Sequence, residues 1–168
     1  MNVVLVSILT AIQIVMPQPA RGSDTPPVFG LVEEVRLYPG EILVLAKLDT
    51  GADNSSLHAV AITRFKRKGE RWVRFQTLDE DGEPVTLERR LVRTAKIKKP
   101  GGTTQSRPVV SMGVCLGTIY REVEVTLADR SRFRCPMVLG RSFMANTLMV
   151  DPSLRSTTKS ECPHAPKQ

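Results

Sequence analysis

Leu48-Asp49-Thr50-Gly51-Ala52, continuing through Asp53-Asn54-Ser55-Ser56-Leu57-His58, concentrates a carboxylate, several hydroxyls and an imidazole in one short stretch. Three chemistries are open to such a stretch. Ser55 or Ser56 with His58 is a nucleophile and base pair, but no elbow motif and no third orienting group accompany it, so His58 reads as structural or substrate-facing. A metal site needs clustered ligands. Cys115, Cys135 and Cys162 are scattered without a Cys-x-x-Cys pair and the only histidines are His58 and His164, so neither structural zinc nor any other cofactor is expected. The third chemistry is carboxylate catalysis by Asp49. Taken alone, Asp-Thr-Gly is also an ordinary turn, because Asp bonds its own backbone and Gly tolerates positive φ.

The elements that must position Asp49 read as strands. From Val28 onward the apolar residues alternate or come in short runs bounded by Gly and Pro, the habit of an all-β domain. Strands are expected at Val28–Val35, Glu41–Leu48, Ala59–Phe65, Arg71–Leu78, Glu83–Arg93, Pro108–Leu116, Thr118–Leu127 and Arg132–Leu139. Lys68-Gly69-Glu70, Asp81-Gly82, Pro100-Gly101-Gly102 and Gly117 supply turns, and one short helix is expected at Arg141–Asn146. The second strand runs straight into Asp49. With 168 residues the chain has room for one domain and tails. No internal repeat stands out, so one chain offers one such aspartate.

Val138-Leu139-Gly140-Arg141 is the second informative stretch, a pair of hydrophobic residues followed by Gly-Arg. Together with Leu48–Ala52, Ser55-Ser56-Leu57-His58-Ala59, Arg107-Pro108-Val109-Val110, Leu127–Ser131 and Pro136-Met137, it resembles the bacterial retropepsin-like aspartic proteases that often carry the label "ATP-dependent zinc protease". The resemblance spans about residues 28 to 153. It implies a closed β-barrel of the acid-protease fold, assembled as a symmetric homodimer, with Asp49 as catalytic residue. Thr50, Gly51, Ala52 and Asp53 would complete the loop, Val138, Leu139 and Gly140 would brace it from behind, and Arg141 would pair with Asp53. The label itself finds no support, since neither a phosphate-binding Gly-x-x-x-x-Gly-Lys-Ser/Thr loop nor a His-Glu-x-x-His helix is present.

The chemistry implied is that of a carboxyl pair. Two carboxylates about 3 Å apart cannot both ionise, so they share one proton. The ionised member accepts a proton from a bridging water as it attacks a peptide carbonyl, and the protonated member donates to the carbonyl oxygen. A cover must exclude bulk water, and Ile97–Gln105, with Gly101 and Gly102 at its tip, is the candidate flap by the order of strands, a plain basic loop being the alternative.

The ends and the charge bound the setting. Val3–Met16 is an almost unbroken apolar run, followed by Pro17, Pro19 and then Ala20-Arg21-Gly22. This reads as a signal peptide over residues 1–22, with 23–27 a linker, 28–153 the protease domain and 154–168 a polar, mobile tail. It places the protein in the periplasm or outside the cell. The chain holds 24 Lys and Arg against 17 Asp and Glu, for a net charge of +7. An exported basic protein meets anionic envelope surfaces, envelope polymers or acidic peptides; nucleic acid is not an expected partner. An oxidising compartment would allow one disulfide among the three cysteines, with the pair left open by sequence. The expectation is therefore an aspartic endopeptidase acting on peptide or protein substrates. The alternative is a non-catalytic module of the same fold that captures a peptide or an envelope polymer.

Overall fold

A computed structural model of the chain describes residues 25–98 and 101–166. The apolar segment read as a signal peptide therefore lies outside the described residues, as do residues 23 and 24 of the linker. Ten strands and one short helix follow in the order β1 Val28–Tyr38, β2 Ile42–Leu48, β3 Ser55–His58, β4 Val60–Arg67, β5 Glu70–Leu78, β6 Pro84–Lys98, β7 Thr104–Leu116, β8 Ile119–Ala128, β9 Met137–Leu139, α1 Arg141–Met144 and β10 Met149–Arg155.

Strands β1, β2, β9, β3, β8 and β7 close on themselves through the β1–β7 pairing, giving a six-stranded mixed barrel. β2 runs parallel to β9 and β3 parallel to β8, whereas the hairpin-linked neighbours are antiparallel. The alternation in sequence explains the closure. Ile42, Val44, Ala46 and Leu48 of β2 point inward and are buried, as are Val35 and Leu37 of β1 and Val123, Val125 and Leu127 of β8. Each buried Val, Leu or Ile among them contributes about 1.5–3 kcal/mol on full burial. Outside the barrel, β6, β5 and β4 continue the sheet beyond β7, and their inward residues Val73, Phe75, Leu87 and Leu91 join the same core.

Several expected boundaries move. The expected strand Arg132–Leu139 shortens to Met137–Leu139, because the chain first makes a turn in which Phe133 N–H donates to the Arg130 carbonyl. The expected helix keeps only the turn Arg141–Met144. Two strands were not anticipated, β3 and β10, each aligned parallel to a neighbour far away in sequence.

The segment after Pro152, expected to be a mobile tail, is instead held across the barrel as far as residue 162. β10 runs to Arg155, after which Thr157 and Thr158 donate to the Glu33 carboxylate, with the Thr157 amide at 2.8 Å from Oε2. Glu33 occupies an inward position of β1 and is fully buried. Its oxygens also accept from the Thr157 hydroxyl and the Gly30 amide, so the tail supplies most of the donors a buried carboxylate requires. Further along, Ser160 Oγ donates to the Glu34 carbonyl and a Cys115–Cys162 disulfide fixes the strap to β7. Cys135 remains a buried free thiol.

Candidate active site

Asp49 leaves the end of β2 on the outward side of the strand, in phase with Leu45 and Lys47, because side chains at i, i+2 and i+4 share a face. The loop that begins there straddles β9. β2 lies on one side of β9, with Lys47 opposite Val138 and Leu48 opposite Leu139; β3 lies on the other, with Ser56 opposite Val138. Asp49 N–H donates to the Leu139 carbonyl at 2.9 Å, so the aspartate backbone is fixed to the buried Val138-Leu139 pair.

Within the loop, Gly51 N–H donates to Asp49 Oδ1 at 3.0 Å and Ala52 N–H to the Asp49 carbonyl at 3.1 Å. Gly51 does not use the left-handed region that a bare Asp-Thr-Gly turn suggests. Its use is space: a Cβ there would stand 3.2 Å from Asp49 Oδ1 and press on that carboxylate. The far wall is built by the Gly-Arg pair. Arg141 N–H donates to the Ala52 carbonyl at 2.8 Å and Ser142 N–H to the Asp53 carbonyl at 3.0 Å, while the Arg141 guanidinium donates to the Thr50 carbonyl at 2.8 Å and to the Asp53 carboxylate. Gly140 N–H reaches the buried Ser55 Oγ. Ala52 and Thr50 thus contribute backbone carbonyls to this lattice, and the Asp49 carboxylate stays part-exposed.

Charged neighbours that the sequence did not single out stand around it. Lys47 Nζ lies 3.3 Å from Asp49 Oδ2, a pairing readable in hindsight from the two-residue spacing on one strand face. Arg130, from the β8–β9 connection, falls in the Leu127–Ser131 stretch, but nothing in its spacing places it beside Asp49. Burial holds its guanidinium below the ordinary arginine range, Arg107 pushes the same way, and the Cys135 thiol and Asp49 carboxylate oppose them. Its plane lies 4.6 Å over the Phe133 ring, and both residues line a pocket of about 240 Å³ that also takes in Leu45 and His58.

His58 is buried, and its Nδ1 accepts from the Arg130 amide at 3.0 Å. With Nδ1 so engaged, Asp129 at 3.8 Å is not its hydrogen-bond partner. Neither Ser55 nor Ser56 is bonded to the ring, and Ser55 serves Gly140 instead. The Ile97–Gln105 segment closes the β6–β7 hairpin, with Ile97 opposite Gln105; residues 99 and 100 at its tip lie outside the described residues. Gly101 and Gly102 both take positive φ with open space around them.

A strand-end Asp-Thr-Gly loop locked onto a Leu-Gly-Arg turn inside a closed barrel agrees with one family. The model of the RimB-like family, described as "Retropepsin-like aspartic endopeptidase RimB", matches residues 28–161. This chain belongs to that family. The RimB-like match extends beyond Pro152, so the strap over Glu33 falls within it. A crystal structure of a Legionella pneumophila protein of unknown function (DUF785) superposes with a TM-score of 0.68 at 38% identity, covering 79% of this chain and 98% of that one. Proteins named "Probable alpha-L-glutamate ligase" are also similar. The one from Shewanella pealeana is 39% identical over 126 residues, 72% of this chain and 28% of its own length. That from Desulfotalea psychrophila is 33% identical over 120 residues, 67% of this chain and 25% of its length. The RimB-like chain thus spans about a quarter of the length of these curated relatives.

Proposed function

We propose that the protein is an aspartic endopeptidase whose site is completed when two copies pair symmetrically and bring their Asp49 loops together. The observation that carries this reading is the placement of Asp49: its backbone is tied to Leu139 while its carboxylate faces outward from a loop with no second Asp-Thr-Gly in the chain. In the pair, one carboxyl group holds the shared proton and the other is ionised. The ionised group takes a proton from water, the resulting oxygen bonds to the peptide carbonyl carbon, and the C–N bond then breaks as the amine is protonated. Thr50 holds the two loops in register and Lys47 compensates the lone carboxylate before assembly. The β6–β7 hairpin from Ile97 to Gln105 acts as the flap.

Acidic peptides are the substrate class this reading favours. Lys47 pairs with Asp49, Arg130 lies within the reach of the Asp49 charge with Arg107 behind it, and the chain as a whole is strongly basic. Similarity to part of proteins named for glutamate ligation supports peptides rich in glutamate. The Cys115–Cys162 disulfide, together with the apolar Val3–Met16 run, supports an exported protein.

The deciding experiment compares the full chain with Asp49→Asn on a diverse peptide mixture, read by mass spectrometry from acidic to neutral pH. Cuts made only by the unsubstituted protein, with an acidic optimum, are expected. Equal cleavage by Asp49→Asn would remove Asp49 from the mechanism. Matching uncut digests from a protein shown to be dimeric would favour peptide capture without hydrolysis.

A further inference from the structure

The two faces of the β4–β5–β6 sheet treat their positive charges differently. On the outer face the arginines are matched: Arg67 and Arg74 both pair with Glu88, and Arg90 pairs with Glu70 at 2.8 Å. On the inner face, the side that turns toward the core, Arg64 stands opposite Val73, Lys66 opposite Arg71, and Arg89 opposite Val73 from the other flank. Among the described residues no acidic side chain forms an ion pair with any of these four cations.

Such an arrangement costs stability. Like charges directly opposite on neighbouring strands repel, and Lys66 and Arg71 are directly opposite. Arg89 is set between the buried Leu87 and Leu91 of β6, and its Nε and Nη2 are buried without a hydrogen-bond acceptor. Burial lowers its pKa, against the opposing pull of Glu122 and Tyr120. Glu122 offsets Arg89 in part, without forming an ion pair, and Arg64, Lys66 and Arg71 have no acidic partner among the described residues.

The same face is concave. Arg64, Lys66, Arg71 and Leu91 line a pocket of about 270 Å³ there, whereas the Phe65 and Trp72 rings alternate to the outer face, where Arg67 stacks on both. β4, which forms one rim, is the last strand of the sheet and is exposed along nearly its whole length, so one row of its backbone groups is unpaired. Backbone donors and acceptors on an open edge, beside uncompensated cations, suit an extended chain bearing carboxylates. A membrane surface would need a flat or convex face, and this one is recessed.

We infer that the inner side of the β4–β5 hairpin is a second, non-catalytic binding site, which takes an acidic peptide in extended form along the β4 edge. Its carboxylates would meet Arg64, Lys66 and Arg71, with the buried Leu91 at the floor of the recess. The site shares no residue with the Asp49 loop. It deepens the endopeptidase reading and rests on it for the role of substrate anchoring, whereas the binding itself does not depend on catalysis.

Isothermal titration calorimetry reads binding at this face without a reporter group. The full chain carrying Asp49→Asn, so that nothing is cut, would be titrated with hexaglutamate. The same titration would use the added pair Arg64→Glu and Lys66→Glu, whose positions are exposed and leave the core untouched. A saturable heat of binding, weakened roughly tenfold or more by the charge reversal and by added salt, is the expected result. No response, or equal affinity in the reversed variant, would overturn the inference. Tighter binding of an oligouridylate or of phosphatidylglycerol vesicles than of hexaglutamate, at equal charge, would also overturn it by assigning the face to another polyanion. In the catalytically intact background, reversal should raise KM for long acidic peptides and leave short uncharged peptides unchanged. Loss of all cleavage there would count against the endopeptidase reading, while the binding titration would still decide the site.

Discussion

The Arg141 guanidinium closes the Asp49 loop by bonding both the Thr50 carbonyl and the Asp53 carboxylate, from a turn that β9 places directly behind that loop. Both ends of the loop are therefore fixed to the same structural unit, at Leu139 through the Asp49 amide and at Arg141 through the Ala52 carbonyl. The aspartate's position is set by backbone contacts that do not depend on substrate.

Arg141→Ala should separate positioning from stability. The Arg141–Asp53 pair is substantially exposed at both ends, so its loss should cost no more than about 1 kcal/mol. The Thr50 carbonyl, however, loses the donor that fixes the loop, and misplacement of this kind costs on the order of 10²-fold in rate. Arg141→Lys should rescue little, because an ammonium cannot span two acceptors with the planar fork. Peptidase kcat beside a denaturant melt checks this; a large drop in stability with kcat per folded molecule unchanged would contradict it.

Gly140→Ala should act through sterics. Gly140 has extended backbone that any residue adopts, but an added Cβ would lie 2.7 Å from the Asn54 backbone and 3.0 Å from the Ala52 carbonyl. The loop and β9 must then part, at a cost of about 1–3 kcal/mol. Because the displaced atoms belong to the Asp49 loop, activity should fall further than the folded fraction does. Parallel loss of both would show that the contact matters for folding alone.

How far this arrangement can be read from sequence depends on the distance over which each contact is made. The β4–β5, β5–β6 and β7–β8 hairpins follow from alternating apolar residues and local turn signals. β3 reads as loop because Asn54-Ser55-Ser56 is polar, and it becomes a strand only by inserting between β9 and β8. β10 is hidden by Pro152 within an otherwise extended segment, and its parallel pairing to β1 has no local signature. Asp49 and Gly140 are recognisable as motifs, and Lys47 follows from strand periodicity. Arg130 does not, since only the closed barrel brings the β8–β9 connection beside β2. The strap was concealed for the same reason: its polar residues look solvated until Glu33, an inward acid on β1, requires their donors.

Cys162→Ser tests that strap. The disulfide spans 47 residues, for which chain entropy alone allows up to about 4 kcal/mol of stabilisation. Its loss should also free Thr157 and Thr158 to leave Glu33 unsatisfied. The unsubstituted protein should lose stability when reductant is added to a denaturant melt, and Cys162→Ser should begin lower and ignore reductant. A variant as stable as the oxidised parent would mean that the Thr157 and Ser160 hydrogen bonds suffice.

Glu88 provides the acid-side test of the β4–β6 sheet. Hydrogen bonds from Arg74 and then Arg67 lower its pKa from the ordinary 4.5, with burial opposing. A carboxylate with a lowered folded-state pKa contributes stability that is fully present above the unfolded value and is lost as pH falls through the folded one. Glu88→Gln should therefore melt below the parent at neutral pH, and the gap should narrow only once the pH drops below about 4.5. The carboxylate is solvent-facing, so the gap will be small and should shrink in high salt. Thermal midpoints of both proteins across pH 3 to 7 decide it; a gap that widens on acidification would reverse the assigned sign and place the stabilising charge elsewhere.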